Sequence, residues 1–351
     1  MSFGLIKATQ YPLAIDFGVG SLKVLQLAPG EPPAIVVAGA VPTPDELIAD
    51  PGARLQFQYE ALPALLKDLG VKTRRAVCSV SSSHTLVQHF HLPKGANTPV
   101  RNQVLEALQA TFQCDPAQLV LRHFDVGEIT HRGTRCLEVI AIAMPGSVIQ
   151  SHMRALRACK LEVAGIHTEH IAALRAFDYL LEEETSEEEQ ATICIDVGYG
   201  TTKVVVSHDG KPAFARTIKI GGADLDVEAA EQTEAPVSEL RRSRIATDDV
   251  SDAERSRLVD ALAAEVSQCM QYHSALFPGR SIARAIFCGG ETTALPLTVE
   301  LAEAIGLPSH RADPFQRLNA DAVMDRGSVD FNAPQPGWVT PVGLSLAPAD
   351  A

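Results

Sequence analysis

The chain has 351 residues, of which 46% are apolar and 21% are charged; this is the composition of a folded globular protein and excludes a disordered chain. The length suits two or three domains that each bury a core of their own. A formal net charge of −13 argues against general binding to nucleic-acid backbones, which requires surfaces rich in lysine and arginine.

Cysteine usage and the start of the chain indicate the compartment. The seven cysteines stand singly with no Cys-x-x-Cys pair, which favours buried free thiols in a reducing cytoplasm over a disulfide framework. No apolar run approaches the roughly 20 residues that span a bilayer, and the opening "MSFGLIKATQYP" has no signal-peptide pattern. We therefore expect a cytoplasmic protein that meets a membrane only through partners, with no direct insertion.

The first elements in chain order are strands. The apolar runs "LAIDFG", "LKVLQLA" and "AIVVAGAVP" within residues 13–41 alternate with breaks and predict three strands joined by tight turns. A helical spacing over residues 56–69 follows in spite of Pro63, and "RAVCSVS" then predicts a short buried strand.

Residues 85–166 have a pattern of their own. Strand, helix, strand, strand, helix and strand are predicted in that order, starting at "TLVQHFHLP", and such an order can close into a small α+β subdomain. A helix from residue 168 then leads into the acidic stretch 182–189, which is typical of a solvated linker because like charges resist burial.

Beyond this linker the opening pattern is repeated. "ATICIDVG", "TKVVVSHDG" and "KPAFARTIKIGG" predict strands with a hairpin turn at "HDG", and helices are expected at 222–232 and 253–276. "RAIFCGG" predicts another strand, followed by a helix near 292–305 and a small-residue helix in "TPVGLSLA". The second half therefore duplicates the first as a domain, and the chain is not a solenoid.

One short stretch occurs in both halves, as "AIDFGVGSLKV" and as "CIDVGYGTTKV". Each copy has an Asp at the end of an apolar strand, two glycines, a hydroxyl residue and a lysine. A single copy has a structural interpretation, namely a hairpin whose Asp accepts hydrogen bonds from its own backbone. Two copies, one at the start of each half, instead favour two turns that hold the phosphates of one ligand from opposite sides.

This hypothesis assigns a role to each residue type in the motif. Backbone amides and hydroxyls would contact the phosphates at Gly18, Gly20, Ser21, Gly198, Gly200, Thr201 and Thr202. Lys23 would pair with phosphate oxygens. Asp16 and Asp196 would bring two carboxylates to a magnesium ion, which is usually held by few protein oxygens, several waters and the nucleotide itself.

The doubled stretch resembles the two phosphate motifs of the actin-like ATPase superfamily, which includes actin, the sugar kinases, the heat-shock chaperones and FtsA. "AIFCGGETTALPLTVELAEAIG" resembles the adenosine motif of that superfamily, although a strand–Gly-Gly–helix turn is alone a common structural cap. The resemblance implies a duplicated actin-like (ribonuclease H-like) α/β fold that binds ATP, with Gly289, Gly290 and Glu291 near the nucleoside.

The inserted segment is similar to the relocated 1C subdomain of the FtsA/PilM branch, and "HLPKGANTPVRNQVLEALQATFQCDPAQLVLRHFDV" resembles the PilM family of type IV pilus assembly proteins. "IKIGGADLD" is similar to the helix entry after the second phosphate turn, which implicates Gly222. The implied division has a first half of 12–84 with 167–190 and the C-terminal helix 340–348, an insertion of 85–166, and a second half of 191–339.

Three positions depart from the family pattern. The first phosphate turn carries Gly-Ser where consecutive serines are usual. Glu169, the candidate to orient a water for hydrolysis, is followed by His170 where proline is common, and an ordinary solvated helix residue is the alternative. The nucleoside-contacting Ala-Glu-x-x-Lys pattern maps onto "VSELRRSR" with Arg241 at the lysine and Glu239 one place late.

Two histidine pairs are candidate metal ligands. His89 and His91 share one face of a predicted strand, but two histidines without a nearby cysteine make a poor zinc site. The pair His167 and His170 beside Glu169 is typical of capping or surface cover. A Walker P-loop and a Gly-x-Ser-x-Gly elbow are both missing from the sequence, so phosphate binding depends on the doubled turns.

The resemblance implies an ATP-binding, Mg²⁺-dependent scaffold of type IV pilus assembly with slow or no hydrolysis. Nucleotide would favour a state that recruits the cytoplasmic tail of PilN, an inner-membrane protein; other pilus or secretion proteins and self-association are also open. One rival is a small-molecule kinase of the same fold, which needs a general-base Asp near a polar pocket. The other is an FtsA-like filament former, but "LSLAPADA" lacks the basic amphipathic tail of a membrane tether.

Overall fold

Two five-stranded sheets carry the duplication in this computed structural model, which describes residues 11–347 apart from 96, 114, 132, 182–189, 209, 234, 248–249, 294, 322 and 324–328. The first sheet contains β1 (Leu13–Phe17), β2 (Ser21–Ala28), β3 (Ala34–Pro42), β4 (Arg75–Val80) and β8 (Glu162–Thr168). The second contains β9 (Gln190–Val197), β10 (Thr202–His208), β11 (Lys211–Ile218), β12 (Ser281–Cys288) and β13 (Ser309–Arg311).

The two sheets have the same topology. Their strand orders are β3-β2-β1-β4-β8 and β11-β10-β9-β12-β13. In each sheet the first three strands in chain order form an antiparallel meander. The fourth strand pairs in parallel with the first, and the fifth pairs in parallel with the fourth. The sequence prediction of a duplicated α/β fold is therefore confirmed.

A third sheet lies in the predicted insertion and has the order β5-β7-β6. Its strands are β5 (Leu86–Pro93), β6 (Leu119–His131) and β7 (Thr134–Pro145), all antiparallel. The predicted boundary at residue 166 would assign β8 to the insertion, whereas β8 pairs with β4 in the first sheet. The six elements therefore do not close on themselves, because the last strand of the insertion returns to the parent sheet.

Nine α-helices are seen within the described residues. They are α1 (Pro51–Asp68), α2 (Val100–Phe112), α3 (Gly146–Ala158), α4 (Glu169–Leu181), α5 (Gly222–Thr233), α6 (Val237–Thr247), α7 (Asp252–Leu276), α8 (Leu295–Ile305) and α9 (Val339–Ser345). The Asp50 carboxylate caps α1 by accepting from Gly52 N and Ala53 N, so this helix begins five residues before the predicted start. Helix α6 and the short strand β13 were not predicted.

Helices α4 and α9 lie between the two sheets. Their apolar side chains share one buried cluster with residues of both sheets, and a Cβ built on Gly343 of α9 would lie 1.7 Å from the Ala172 carbonyl oxygen of α4. The glycine thus allows the two backbones to touch.

The predicted acidic linker and the Asp of the "HDG" turn lie outside the described residues. Within the described ranges, no helix combines the length and the apolar character that crossing a bilayer would require.

Candidate functional site

The two copies of the repeated stretch adopt the same local structure. In each, the Asp at the end of one strand is paired across the antiparallel ladder with the Lys of the next: Asp16 with Lys23, and Asp196 with Lys203. Both carboxylates are buried, with 4% and 6% of their surfaces exposed. The glycine turn between the strands is therefore fixed by a hairpin whose polar side chains point into the protein.

The two turns line one cleft of about 480 Å³ between the halves. Most of the predicted site residues also line this cleft: Asp16, Gly18, Gly20, Ser21, Lys23, Glu169, Asp196, Gly198, Gly200, Thr201, Arg241, Gly289, Gly290 and Glu291. Residues far apart in the sequence are thus brought together as the duplicated motif predicts, while their contacts with a ligand stay a prediction.

Three predicted site residues do not line the cleft. The Thr202 hydroxyl is buried and donates to the carbonyl oxygen of Ile220 at 2.8 Å. Gly222 N donates to Gly198 O at 3.2 Å, so this glycine supports the second turn from behind. Glu239 is exposed on α6. Thr202 and Gly222 therefore connect the second turn to the segment 220–222, which follows β11.

Lys203 forms a buried ion-pair cluster at the second turn. Its Nζ lies 3.1 Å from Asp196 Oδ2 and 3.4 Å from Glu169 Oε2. Burial alone would lower the pKa of Lys203, but the two carboxylates outweigh it and raise that pKa well above its usual range. Sequence reasoning noted Lys203 only as part of the repeat and gave it no role.

Glu169 is 5% exposed, so the alternative of a solvated helix residue is wrong. Its Oε2 accepts a hydrogen bond from Ser82 N at 2.9 Å. Burial would raise the pKa of Glu169, but Lys203 and this backbone donor lower it below its ordinary value. Glu169 is thus an ionised carboxylate that already has two partners.

The first turn has different partners. Asp16 Oδ1 accepts from the Ser79 hydroxyl at 2.7 Å, and burial raises the pKa of Asp16 to about 6, although Lys23 opposes the shift. Lys23 Nζ donates to the carbonyl oxygen of Gly337 at 2.6 Å. Burial lowers the pKa of Lys23. The loop before α9 therefore holds the lysine that was predicted to bind phosphate.

Two adjacent glycines at the end of β12 have different surroundings. Gly289 has φ +97°, and a Cβ built on it would lie 2.2 Å from Val197 O. A Cβ built on Gly290, or on Gly200 of the second turn, would meet no atom within 4 Å. Gly289 is therefore required by the fold, whereas Gly290 and Gly200 leave open space at the cleft wall that a ligand can occupy.

Arginines of α6 close one side of the cleft. Arg241 forms an ion pair with Asp45 of the first half, and its guanidinium lies 5.0 Å from the centre of the Tyr199 ring. Arg244, which sequence reasoning missed, binds Glu291 at 2.6 Å and Asp226 at 2.6 Å. The arginine-rich "VSELRRSR" was the signal that could have identified Arg244.

A hydroxyl pair spans the cleft. Ser82, which follows β4, lies with its Oγ 2.8 Å from Thr201 Oγ1 of the second turn. Ser82 and Ser79 were missed, although the polar run "SVSSS" after a buried strand could have identified them. These serines contribute hydroxyl groups on the side of the first half, where the repeated motif itself has only Ser21.

The residues present fit a triphosphate better than they fit the predicted magnesium site. Open glycines, turn amides and Lys23 suit phosphate groups. Asp196, however, is held by Lys203, and the described residues contain no group of three or more acidic, histidine or cysteine side chains placed to hold a metal ion. Of the two carboxylates assigned to magnesium, Asp16 alone lacks an ion-pair partner among the described residues.

The histidine pairs have structural partners. His89 Nδ1 and His91 Nε2 lie 2.5 Å and 2.9 Å from the carboxylate of buried Glu138 in β7. Tyr272 of α7 donates to the same carboxylate at 3.1 Å. His170 is buried and contacts the Thr217 hydroxyl at 3.0 Å. These contacts give His89, His91 and His170 protein partners.

The paired sheets, with two glycine turns facing one cleft, define an actin-like ATPase fold. Residues 14–348 match the family model described as type IV pilus assembly protein PilM, and the chain therefore belongs to this family.

Solved structures of similar fold include a PilM-PilN type IV pilus biogenesis complex, which has 18% sequence identity, a TM-score of 0.77 and coverage of 96% of this chain and 98% of that one. The ethanolamine utilization protein EutJ from Carboxydothermus hydrogenoformans is more distant, with 14% identity, a TM-score of 0.50 and coverage of 96% and 89%.

Proposed function

We propose that the chain is an ATP-binding component of type IV pilus assembly whose two halves close on the nucleotide and which then recruits a PilN-like inner-membrane protein. The observation that carries this proposal is that both copies of the phosphate turn and the Gly-Gly turn line one cleft. The proposed role in type IV pilus assembly is supported by membership of the PilM family.

The chemistry of the cleft suits a triphosphate and a nucleoside. The amides at 18–21 and 199–201 and the hydroxyls of Ser21 and Thr201 would donate to phosphate oxygens. Lys23 would exchange the carbonyl of Gly337 for a phosphate oxygen, which is the stronger, charge-assisted acceptor. The nucleoside would lie against Gly290 near Arg241.

Closure would follow from contacts that join the halves. Ser82 meets Thr201, Arg241 meets Asp45, and Lys203 of β10 meets Glu169 at the start of α4. A nucleotide bound between the turns adds further contacts to both sides, so it would bind the closed state more tightly and increase its population. Hydrolysis would be slow or absent, because Glu169 is already engaged by Lys203 and Ser82.

ATP would arrive as its Mg²⁺ complex, with Asp16 as the nearby carboxylate. The partner is proposed from the similarity to the PilM-PilN complex, in which such a protein is bound. We further propose a cytoplasmic location beside the inner membrane. The chain would consist of two halves and an insertion, with β8 assigned to the first half because it pairs with β4.

Calorimetric titration with ATP tests the nucleotide claim. Gly200→Ala adds a methyl group to open space at the cleft wall and should weaken ATP binding by at least tenfold, about 1.4 kcal/mol. Gly279→Ala is the matched control, because Gly279 is exposed in a loop where a Cβ would also meet nothing. Equal affinities for the two variants, or no ATP binding by the wild type, would contradict the proposal.

The partner claim has its own experiment. A peptide from the cytoplasmic tail of a PilN-like protein of the same organism should bind the wild type more tightly in the presence of ATP. The same peptide should gain less from ATP with Gly200→Ala than with Gly279→Ala. If the peptide binds all three proteins with an affinity that does not depend on ATP, the proposed nucleotide switch is wrong, whereas the proposed partner is supported.

A further inference from the structure

The lysines of the repeated motif have diverged in their contacts. Lys23 and Lys203 occupy equivalent registers, each opposite the Asp of its own turn. Lys203 is bound by both Asp196 and Glu169, whereas Lys23 has no carboxylate within 4 Å among the described residues. The same residue at the same place in the duplication therefore makes different contacts in the two halves.

The ammonium of Lys203 lies within 3.4 Å of an oxygen of each of the two carboxylates, Asp196 and Glu169. The three side chains are 7–8% exposed, so water does little to screen their charges. Magnesium requires oxygen ligands at about 2.1 Å in near-octahedral arrangement. A metal ion that approached Asp196 and Glu169 would meet the ammonium within a few ångströms and be repelled by it.

We infer that Lys203 is a built-in cation that excludes divalent metal ions from Asp196 and Glu169. A metal ion that enters with a nucleotide is left to the phosphates and to Asp16. The consequence for the proposed nucleotide site is that Glu169 stays bound to Lys203 and does not orient a water molecule. Only this consequence rests on the proposed function, because the exclusion itself can be measured without nucleotide.

The test uses Mn²⁺ alone, with its free concentration followed by electron paramagnetic resonance. Lys203→Met leaves two buried carboxylates without their cation, and we expect it to gain a Mn²⁺ site at least about tenfold tighter than any site in the wild type. Lys23→Met is the matched control, since it removes the equivalent lysine, which has no carboxylate within 4 Å among the described residues, and it should gain no such site. A purely structural role for Lys203 would not create a metal site.

Two further variants keep the inference testable if Lys203→Met folds poorly. Lys203→Arg retains a cation and should bind no more Mn²⁺ than the wild type. Asp196→Asn in the wild-type background should leave Mn²⁺ binding unchanged, because Asp196 is not a ligand there. The inference is overturned if Asp196→Asn removes a Mn²⁺ site of the wild type, or if well-folded Lys203→Met gains none. ATP binding can succeed or fail in either case.

Discussion

Alanine substitution of Gly289 and Gly290 should separate a requirement of the fold from a requirement of the cleft. Gly289 has φ +97°, a conformation that costs an alanine about 1–2 kcal/mol. The added Cβ would also lie 2.2 Å from Val197 O and 2.4 Å from Asp196 Oδ1, an overlap with backbone and a buried side chain that costs about 1–3 kcal/mol more. Gly289→Ala should therefore lower the free energy of unfolding by about 2–5 kcal/mol.

Gly290→Ala should behave in the opposite way. Its Cβ meets no atom within 4 Å and its backbone is not left-handed, so the free energy of unfolding should stay within about 0.5 kcal/mol of the wild type. The methyl group would instead occupy ligand space and weaken ATP binding.

Urea denaturation followed by circular dichroism measures the first quantity, and calorimetry measures the second. Gly279→Ala should change neither and serves as the control. The reasoning would be refuted by a Gly289→Ala protein as stable as the wild type, or by a Gly290→Ala protein that is destabilised as much as Gly289→Ala.

Three further predictions each concern one residue. Ser79→Ala removes the hydroxyl that donates to buried Asp16 and should cost about 1–3 kcal/mol of unfolding free energy, measured by urea denaturation, with exposed Ser83→Ala as control. Asp45→Asn removes an anionic partner of Arg241 across the cleft and should expand the nucleotide-free protein in small-angle scattering; an unchanged radius of gyration would contradict this. Burial lowers the pKa of His152 to about 4, so the folded state disfavours its protonation, and stability should fall between about pH 6.5 and 4 by up to about 3 kcal/mol, a loss that His152→Gln should reduce.

Much of the fold could be predicted because hydrophobic periodicity is local. The strands of both sheets, apart from β13, followed from apolar runs between turn residues, and the repeated motif gave the two halves their correspondence. The sequence could not show that β8 belongs to the first sheet. In chain order β8 follows the strands and helices of the insertion, and its pairing with β4 exists only in the folded sheet. Helix α6 was missed because its sequence is rich in polar and charged residues and has little apolar periodicity.

The parts of the candidate site that consist of glycine turns could be predicted from the sequence. The two glycine turns are recognisable because their residues are contiguous in the sequence and occur twice, and both turns line the cleft. The ion-pair cluster was not predictable: Lys203 meets Glu169, 34 positions earlier, only because β10 and α4 are brought together by the fold. Nor does the sequence distinguish Lys23 from Lys203, which differ only in what the rest of the chain places beside them.

A structure of the protein with a non-hydrolysable ATP analogue tests the central claim most directly. The account predicts the phosphates between Gly20 of the first turn and Gly200 of the second, with Lys23 moved from the Gly337 carbonyl to a phosphate oxygen. An analogue bound outside this cleft, or a cleft that stays empty at saturating analogue while the protein is folded, would contradict it.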